Sequence, residues 1–274
     1  MIYDSYSVLM SVYYKEKPEY LRQSIESMLN QTVQTNNFVI VCDGPLTEEL
    51  DNVLEEYKAK NTDIFDIVRL ENNVGIGAAV NEGLKQCKNE LVAKIDADDI
   101  AFPERCELQL AMFNEDEKLT VLGGYMYEFD EDCNRPYSIR KVPLEYEGIK
   151  EFAKRRQPFN NITVMLKKTA VLEVGGYSKM NRCEDYDLYV RLLSAGYFCK
   201  NMENVLCAAR VERNALSRRS SSDTLKWFVK SRWRAYRMNY SSISDVLIAC
   251  TAQVIVFACP NKIQKFLYEK FLRN

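Results

Sequence analysis

The sequence predicts an α/β fold with a Rossmann-like, mostly parallel sheet flanked by helices, and a basic helical extension at the C-terminus. In the first 120 residues, apolar strand-like runs alternate four times with amphipathic helical segments. Such alternation is typical of a doubly wound sheet with right-handed crossovers. The C-terminal extension stands apart by its charge, because residues 210–274 contain 13 lysines and arginines against 4 acidic residues.

The individual elements follow from these runs. Strands are predicted at residues 6–14, 37–44, 65–71 and 90–96. Helices are predicted at residues 17–32, 47–61 and 77–89, and a fourth begins near Pro103. The stretch at 37–44 is a continuous apolar run closed by Asp-Gly, which is typical of a parallel strand buried on both faces. Ligands of such sheets bind at the carboxyl ends of the strands, so we expect the site there.

Beyond residue 119 the alternation weakens. A strand with a Gly-Gly bend is predicted at 119–132, and a helix at 183–197. Residues 160–178 are typical of a strand, a short helix and a turn. From about residue 216 the pattern is basic and helical, and the stretch from Val246 to Cys259 is apolar but short for a membrane span. We expect that stretch to pack on the domain or to enter a membrane interface.

Composition excludes several kinds of chemistry. The chain contains no histidine, so Ser-His-Asp and Cys-His catalysis, histidine metal ligands and histidine bases are all excluded. Its nine cysteines include no C-x-x-C pair, which argues against a disulfide framework or a thiolate zinc site. The N-terminal residues lack the basic and long apolar regions of a signal peptide. We therefore expect a cytoplasmic protein whose acid–base chemistry uses carboxylates, lysine, tyrosine or cysteine.

Three aspartates follow the fourth predicted strand, at Asp96, Asp98 and Asp99. In a continued strand Asp96 and Asp98 would face the same side, and a bend would bring Asp99 beside them. Carboxylate oxygens suit Mg²⁺ or Mn²⁺, ions that often bridge to the phosphates of a substrate. The alternative interpretation is a solvated acidic turn.

Two further acidic positions are candidates for the same site. Asp43 closes the second strand, where a carboxylate can accept a hydrogen bond from a base or a ribose, although Asp-Gly also forms simple turns. Glu184 and Asp185 begin the helix at 183–197, where acids also complement the helix dipole. Without histidine, either is a candidate general base. The stretch NNVGIG at residues 72–77 suggests a phosphate cradle but matches neither common phosphate-binding motif.

With these motifs, the chain resembles the family 2 inverting glycosyltransferases, which have the GT-A fold. The matching pieces are SVLMSVYYKEKPEYLRQSIESMLNQT, FVIVCDGP, NNVGIGAAVNEGL, AKIDADDIAFPERCELQ and EDYDLYVRL, in the order of the family. Together they span residues 6–197, and the set is specific because all of its members occur in that order.

The resemblance implies a role for each matching residue. The nucleotide-binding residues would be Ser11, Val12, Tyr13, Asp43, Asn73, Asp96 and Ala97. Asp43 would read the base, usually uracil, and Asp96-Ala97-Asp98 would be the D-x-D motif. Asp98 and Asp99 would hold Mn²⁺ or Mg²⁺, Asp185 would deprotonate the acceptor hydroxyl, and Glu184 and Arg218 would contact the acceptor or the sugar.

The same resemblance divides the chain and names its partners. Residues 1–120 would form the nucleotide-sugar-binding half, 121–215 the acceptor-binding and catalytic half, and 216–274 the helical extension. The donor would be a nucleotide sugar, usually a UDP-sugar in this family. The acceptor would be a glycan or a polyprenyl-diphosphate-linked oligosaccharide of bacterial surface-polysaccharide assembly. A nucleotidyltransferase and a non-catalytic nucleotide-sugar-binding protein are the alternative functions.

Two departures from the family pattern qualify these roles. The usual D-D-G-S is here Cys42-Asp43-Gly44-Pro45, so one of its two aspartates is absent. The Q-x-x-R-W motif of processive synthases is not met, because Val229 precedes Arg232 and Trp233 where glutamine is required. We therefore expect the transfer of a single sugar rather than chain extension.

Nine lysines and arginines lie between residues 210 and 237, with tryptophan, phenylalanine and tyrosine among them. A solvated helix and a nucleic-acid-binding surface are two interpretations, but no nucleic-acid-binding module is present and the body is acidic. We favour a surface that meets anionic lipid headgroups or a diphosphate-linked acceptor. Peripheral attachment to the inner face of the membrane is the corresponding expectation.

Overall fold

The computed structural model describes residues 2–211 and 222–259. Its strands are β1 (Ser7–Val12), β2 (Asn37–Cys42), β3 (Phe65–Arg69), β4 (Leu91–Lys94), β5 (Ile100–Ala101), β6 (Leu119–Phe129), β7 (Ser138–Arg140), β8 (Met165–Lys167) and β9 (Phe198–Arg210). Its α-helices are α1 (Pro18–Leu29), α2 (Glu48–Lys60), α3 (Ile76–Gln86), α4 (Arg105–Glu115), α5 (Tyr146–Ala153), α6 (Lys168–Glu173), α7 (Glu184–Ser194), α8 (Ser222–Arg237) and α9 (Ile243–Ala258). These elements confirm the predicted mixed α/β fold with a sheet flanked by helices.

One sheet runs through this part of the chain in the order β3-β2-β1-β4-β8-β6-β9-β5, with β7 paired to β6. Its first four strands are parallel, as the alternation of strands and helices predicts. Strand β8 is antiparallel to both β4 and β6, whereas β6 and β9 are parallel. The sheet therefore has a parallel half made from the first 94 residues and a mixed half made from the remainder.

Helices cover both faces of the sheet because alternate residues of its central strands point to opposite sides. Val8 and Met10 of β1 belong to a core that includes Leu21 and Ile25 of α1, together with side chains of α2 and α4. Leu9 belongs to the opposite core, with side chains of α3, α5, α6 and α7. Both faces of β1 are thus removed from water, which explains the apolar run Val8–Met10 at its centre.

Strand β4 ends earlier than predicted. It stops at Lys94, and the chain then turns, with the Asp99 N–H donating to the carbonyl of Asp96 at 3.3 Å. Two residues of β5 follow and pair with β9. The three aspartates therefore lie on a turn and not along a continued strand.

Helix α8 packs on α7, and α9 packs on α8. The guanidinium of Arg232 lies 3.4 Å from the ring centroid of Tyr186, and Arg234 forms an ion pair with the buried Asp187 at 3.1 Å. Arg155, which follows α5, pairs with Asp245 of α9 at 2.6 Å. None of the helices within residues 2–211 and 222–259 combines the length and the apolar character needed to cross a membrane.

Candidate active site

A cavity of about 430 Å³ opens at the carboxyl ends of β1, β2 and β4. Its lining residues are Ser11, Val12, Tyr13, Glu16, Asp43, Asn73, Gly75, Ile76, Asp96, Ala97, Asp98, Asn181 and Arg182. Eight of the residues proposed from the sequence are among them, and they come from four separate segments of the chain. The structure therefore brings together every residue of the predicted nucleotide-binding set, together with Asp98.

Asp43 fixes one wall of this cavity. Its carboxylate accepts hydrogen bonds from the N–H groups of Val74 at 2.7 Å and Gly75 at 3.1 Å, and its carbonyl accepts one from the Asn73 side chain. Gly44 makes this close approach feasible, because it has φ of +86° and a Cβ there would lie 2.7 Å from the Asn73 nitrogen. The loop that leads into α3 is thus held against the end of β2.

The two glycines of the stretch NNVGIG have different structural roles. Gly75 lines the cavity, and Gly77 allows close packing. Gly75 has φ of +87° and precedes α3, and its N–H is one of the two donors to Asp43. A Cβ on Gly77 would lie 2.6 Å from the carbonyl oxygen of Ser178. These positions bring α3 close to the segment that leads into α7.

The three aspartates of the turn have different surroundings. Asp98 lines the cavity, and burial together with the charges of Glu16 and Asp96 raises its pKa to about 7. Asp96 forms an ion pair with Lys94, and its carbonyl accepts from the Ser24 hydroxyl at 2.8 Å. Asp99 is 5% exposed, does not line the cavity, and accepts a hydrogen bond from the N–H of Arg210 at 2.8 Å.

These carboxylates fit a divalent cation by their chemistry. The elevated pKa of Asp98 reflects burial and the negative charges of Glu16 and Asp96, both of which a bound cation would offset. Within the described ranges, however, no three acidic, cysteine or histidine side chains are arranged as a metal-binding group. A protein ligand at Asp98 with substrate phosphates as further ligands suits Mg²⁺ or Mn²⁺, which seldom need an all-protein cage.

Asp185 and Glu184 lie at the start of α7. One carboxylate oxygen of Asp185 accepts from the Gln157 side chain, and the other accepts from the N–H of Tyr186 at 2.7 Å. Burial raises the pKa of Asp185, the Tyr186 N–H and the positive charges of Lys94 and Arg140 oppose that shift, and Asp96 adds to it. The interaction with Asp96 connects Asp185 electrostatically to the cavity.

Several site residues were not among those proposed from the sequence. Glu16, Asn181 and Arg182 line the cavity from loops, and Gln157 reaches Asp185 from the loop after α5. Loop positions of this kind carry no periodic signal in the sequence. Lys94 carried a different signal, because it is a charged residue inside an apolar run that was predicted to be a strand. Arg218 lies outside the described residues.

Because of Glu184, we expect the stability of the folded chain to depend on pH. It is 8% exposed, and burial followed by the charge of Asp185 raises its pKa to about 8 from an ordinary value of 4.5. The folded chain therefore retains a proton that the unfolded chain releases, so stability falls as pH rises from about 4.5 to 8. We expect Glu184→Gln to raise the unfolding temperature by several degrees at pH 9 and by much less at pH 5.

Thermal unfolding across this pH range is the measurement. Glu82→Gln is the matched control, since Glu82 lies on α3 in an exposed ion pair with Lys85 and should give no such trend. Equal unfolding temperatures for wild type and Glu184→Gln at pH 9 would contradict the proposed protonation of Glu184.

Comparison with known proteins gives consistent matches to one family. The model of the family described as "Glycosyl transferase family 2" matches residues 7–180. The amylovoran biosynthesis glycosyltransferase AmsE of Erwinia amylovora is 34% identical, over 97% of this chain and 98% of its own length. An Escherichia coli protein named UDP-Gal:alpha-D-GlcNAc-diphosphoundecaprenol beta-1,3-galactosyltransferase is 32% identical, over 98% of this chain and 97% of its own.

Solved structures with little sequence identity share the fold. The structure of S. aureus TarS 1-349 in complex with UDP-GlcNAc aligns with a TM-score of 0.69 at 16% identity, over 97% of this chain and 79% of that one. The mannosyltransferase PcManGT from Pyrobaculum calidifontis, in complex with GDP-Man and Mn²⁺, aligns with a TM-score of 0.66 at 15% identity, over 96% and 78%. These likenesses support the GT-A architecture.

Proposed function

The chain belongs to glycosyl transferase family 2, and we propose that it moves one sugar from a UDP-sugar to a hydroxyl group of a lipid-linked glycan during polysaccharide biosynthesis. The anomeric configuration of the sugar would be inverted, and one sugar would be added per acceptor. The observation that carries this proposal is the cavity at the strand ends, lined by Asp43, Asp96 and Asp98, with Asp185 beside it.

The lining residues suit a nucleoside diphosphate. Asp43 is buried at the cavity wall, where a carboxylate oxygen can accept from a base N–H in addition to the loop amides. Arg182 provides a positive charge among the lining residues, and it suits the diphosphate because a guanidinium can donate two parallel hydrogen bonds. Asp96 and Ala97 would lie between these two groups, next to the ribose and the sugar.

The transfer itself needs a base that takes the proton of the attacking hydroxyl group. The acceptor hydroxyl attacks the anomeric carbon from the face opposite the diphosphate, and the Asp185 carboxylate takes its proton. Gln157 and the Tyr186 N–H orient that carboxylate, so little reorganisation is needed when the proton moves. A Mn²⁺ or Mg²⁺ ion bound at Asp98 would supply positive charge to the departing diphosphate.

The names of relatives support the finer parts of the proposal. One relative, 32% identical, is named as a transferase from UDP-Gal to a GlcNAc-diphosphoundecaprenol, and another is named for amylovoran biosynthesis. Both extend over nearly the whole of this chain, including the described helices α8 and α9. A uridine donor and an undecaprenyl-diphosphate-linked acceptor are therefore the first pair to test.

A donor and acceptor screen tests this function. The purified protein is incubated with a panel of UDP-, GDP- and dTDP-sugars, Mn²⁺ or Mg²⁺, and a synthetic GlcNAc-diphosphate-lipid. We expect one UDP-sugar to give acceptor-dependent release of UDP and a product one sugar larger, with the opposite anomeric configuration. Formation of a nucleotide sugar from a sugar phosphate and a nucleoside triphosphate would instead indicate a nucleotidyltransferase.

The C-terminal helices suggest how a lipid-linked acceptor is reached. On α9, Val246 and Val256 are buried, whereas Leu247 is 61% exposed and Ile248 is 50% exposed. Helix α8 adds the exposed Trp233 beside several lysines and arginines. An exposed apolar face next to basic side chains is suited to an anionic membrane surface, and we propose that these helices bind there.

Vesicle sedimentation tests the membrane proposal. We expect wild-type protein to bind phosphatidylglycerol-containing vesicles, and Leu247→Asp with Ile248→Asp to reduce the bound fraction at least tenfold, because two aliphatic side chains can no longer enter the bilayer. Leu172→Asp on α6 is the matched control, since Leu172 is 44% exposed but lies on the α/β body. Equal binding by wild type and the double variant would sink this proposal.

A further inference from the structure

Lys94 is a charged residue in a place where the fold favours apolar ones. It is the last residue of β4, in the middle of the sheet, and it is only 3% exposed. Its ammonium forms an ion pair with Asp96, and its carbonyl accepts a hydrogen bond from the buried Arg105 at 2.7 Å. Burying a lysine is costly unless its charge is matched, so this position requires an explanation.

The carboxylates around Lys94 provide that match. Burial alone would lower the pKa of Lys94, but Asp96, Glu184 and Asp185 together raise it, so the ammonium stays charged. In return, the charge of Lys94 lowers the pKa of Glu184 and of Asp185 against the effect of burial. One buried cation thus interacts with Asp96 at the cavity and with both acidic residues at the start of α7.

We propose that Lys94 is a positioning residue of the transfer reaction, whose buried ammonium holds Asp96 at the donor cavity. This inference rests on the proposed function, since it assigns Lys94 a part in the same site. The ion pair with Asp96, which lines the cavity, and the burial of the ammonium are its geometric basis.

Other charged and titratable groups also act on Asp185 or are affected by it. They are Lys94 and Asp96 at the end of β4, Arg140 of β7, Tyr177 after α6, Glu184 and Tyr189 of α7, and Arg232 of α8. Lys94 and Arg140 make the largest cationic contributions that lower the pKa of Asp185, and Lys94 has the larger effect of the two. Removal of the Lys94 charge should therefore raise the pH at which Asp185 becomes ionised.

Lys94→Met tests the inference in the full-length enzyme. We expect kcat at pH 7 to fall at least 30-fold, and the acid limb of the kcat profile to move at least one pH unit toward alkaline pH, so that part of the activity returns at pH 9. The donor KM should rise about tenfold, because Asp96 loses its partner. Lys168→Met is the matched control, since the Lys168 ammonium is part-buried and donates to the Cys87 carbonyl, away from the acidic residues.

Lys94→Gln separates the charge from the hydrogen bond and remains useful where the methionine variant fails to fold. It can still donate to Asp96, so we expect the alkaline shift in kcat with a smaller change in donor KM. A donor KM equal to that of wild type in folded Lys94→Met, or in folded Lys94→Gln where the methionine variant fails to fold, would overturn the inference. Absence of transfer by the wild-type enzyme with every donor would instead overturn the proposed function, so the two failures are distinguishable.

Discussion

Asp185→Asn is expected to lower kcat at least 10³-fold while leaving the affinity for UDP unchanged in the presence of Mn²⁺. The asparagine cannot accept the proton of the acceptor hydroxyl, and a well-placed general base typically contributes about 10²- to 10⁴-fold to the rate. Nucleotide binding should persist, because Asp185 does not line the donor cavity. Single-turnover transfer assays and titration calorimetry with UDP measure the two quantities.

The surroundings of Asp185 make this substitution conservative for the fold. Its carboxylate accepts from Gln157, whose own amide oxygen is buried without a hydrogen-bond partner. Rotation of the Gln157 amide would therefore let its oxygen accept from an asparagine at position 185. The Tyr186 N–H can still donate to the remaining oxygen of the side chain. A loss of activity would then report on proton transfer and not on unfolding.

Glu184→Gln is the discriminating companion to Asp185→Asn. Glu184 shares the start of α7, and its pKa is raised to about 8, so it is mostly protonated at pH 7 and poorly suited to accept a proton. We expect this variant to retain activity within about tenfold of wild type, a bound set by the 10²- to 10⁴-fold value of a true base. Full activity of Asp185→Asn together with an inactive Glu184→Gln would show that Glu184, and not Asp185, is the base.

The sequence predicts the parallel half of the fold well because its strands are buried on both faces. Every residue of β2 is buried, so its run from Phe38 to Cys42 is apolar, and α1 and α2 each have one apolar stripe. The mixed half was less predictable. Strand β9 contains exposed polar residues and pairs with β6 through register shifts, so its sequence lacks a regular period. Helix α5 is only eight residues long and has no side-chain cap at its N-terminus.

The residues of the candidate site also differ in how well the sequence predicts them. Asp43, Asp96 and Asp98 follow predicted strands, and parallel topology alone brings strand ends together. Asn181 and Arg182 approach from a loop about 85 residues farther along the chain than Asp96, and no local pattern predicts where such a loop folds back. The turn after Lys94 also separates Asp99 from Asp98, because a side chain on a turn follows the local backbone direction and not the alternation of a strand.

Asp98→Asn is expected to remove the metal-dependent part of nucleotide binding and to lower kcat/KM at least 10³-fold. Asp98 lines the cavity, whereas Asp96 pairs with Lys94 and Asp99 does not line the cavity. A neutral amide at this position removes the charge that would bind the cation, and the departing diphosphate would then lack its counter-charge. Titration calorimetry of UDP with Mn²⁺ and with a chelator separates the two contributions.

The pH dependence of UDP binding sharpens this expectation. A ligand must lose its proton before a metal binds, and the pKa of Asp98 lies at about 7, so the Mn²⁺-dependent gain in UDP affinity should increase from pH 6 to pH 8 in wild-type protein. In Asp98→Asn the gain should be absent at both pH values, while binding with chelator matches wild type.

Asp99→Asn is the control that tests whether the third aspartate of the turn also binds the metal ion. Asp99 accepts from the N–H of Arg210 and joins the turn to β9, so we expect its amide variant to unfold at a lower temperature yet to keep the Mn²⁺-dependent gain. Loss of that gain in Asp99→Asn would make Asp99 a metal ligand, as the family resemblance implies. An unchanged gain in Asp98→Asn would refute the metal site at this turn, because no other carboxylate of the turn both lines the cavity and lacks a cationic partner.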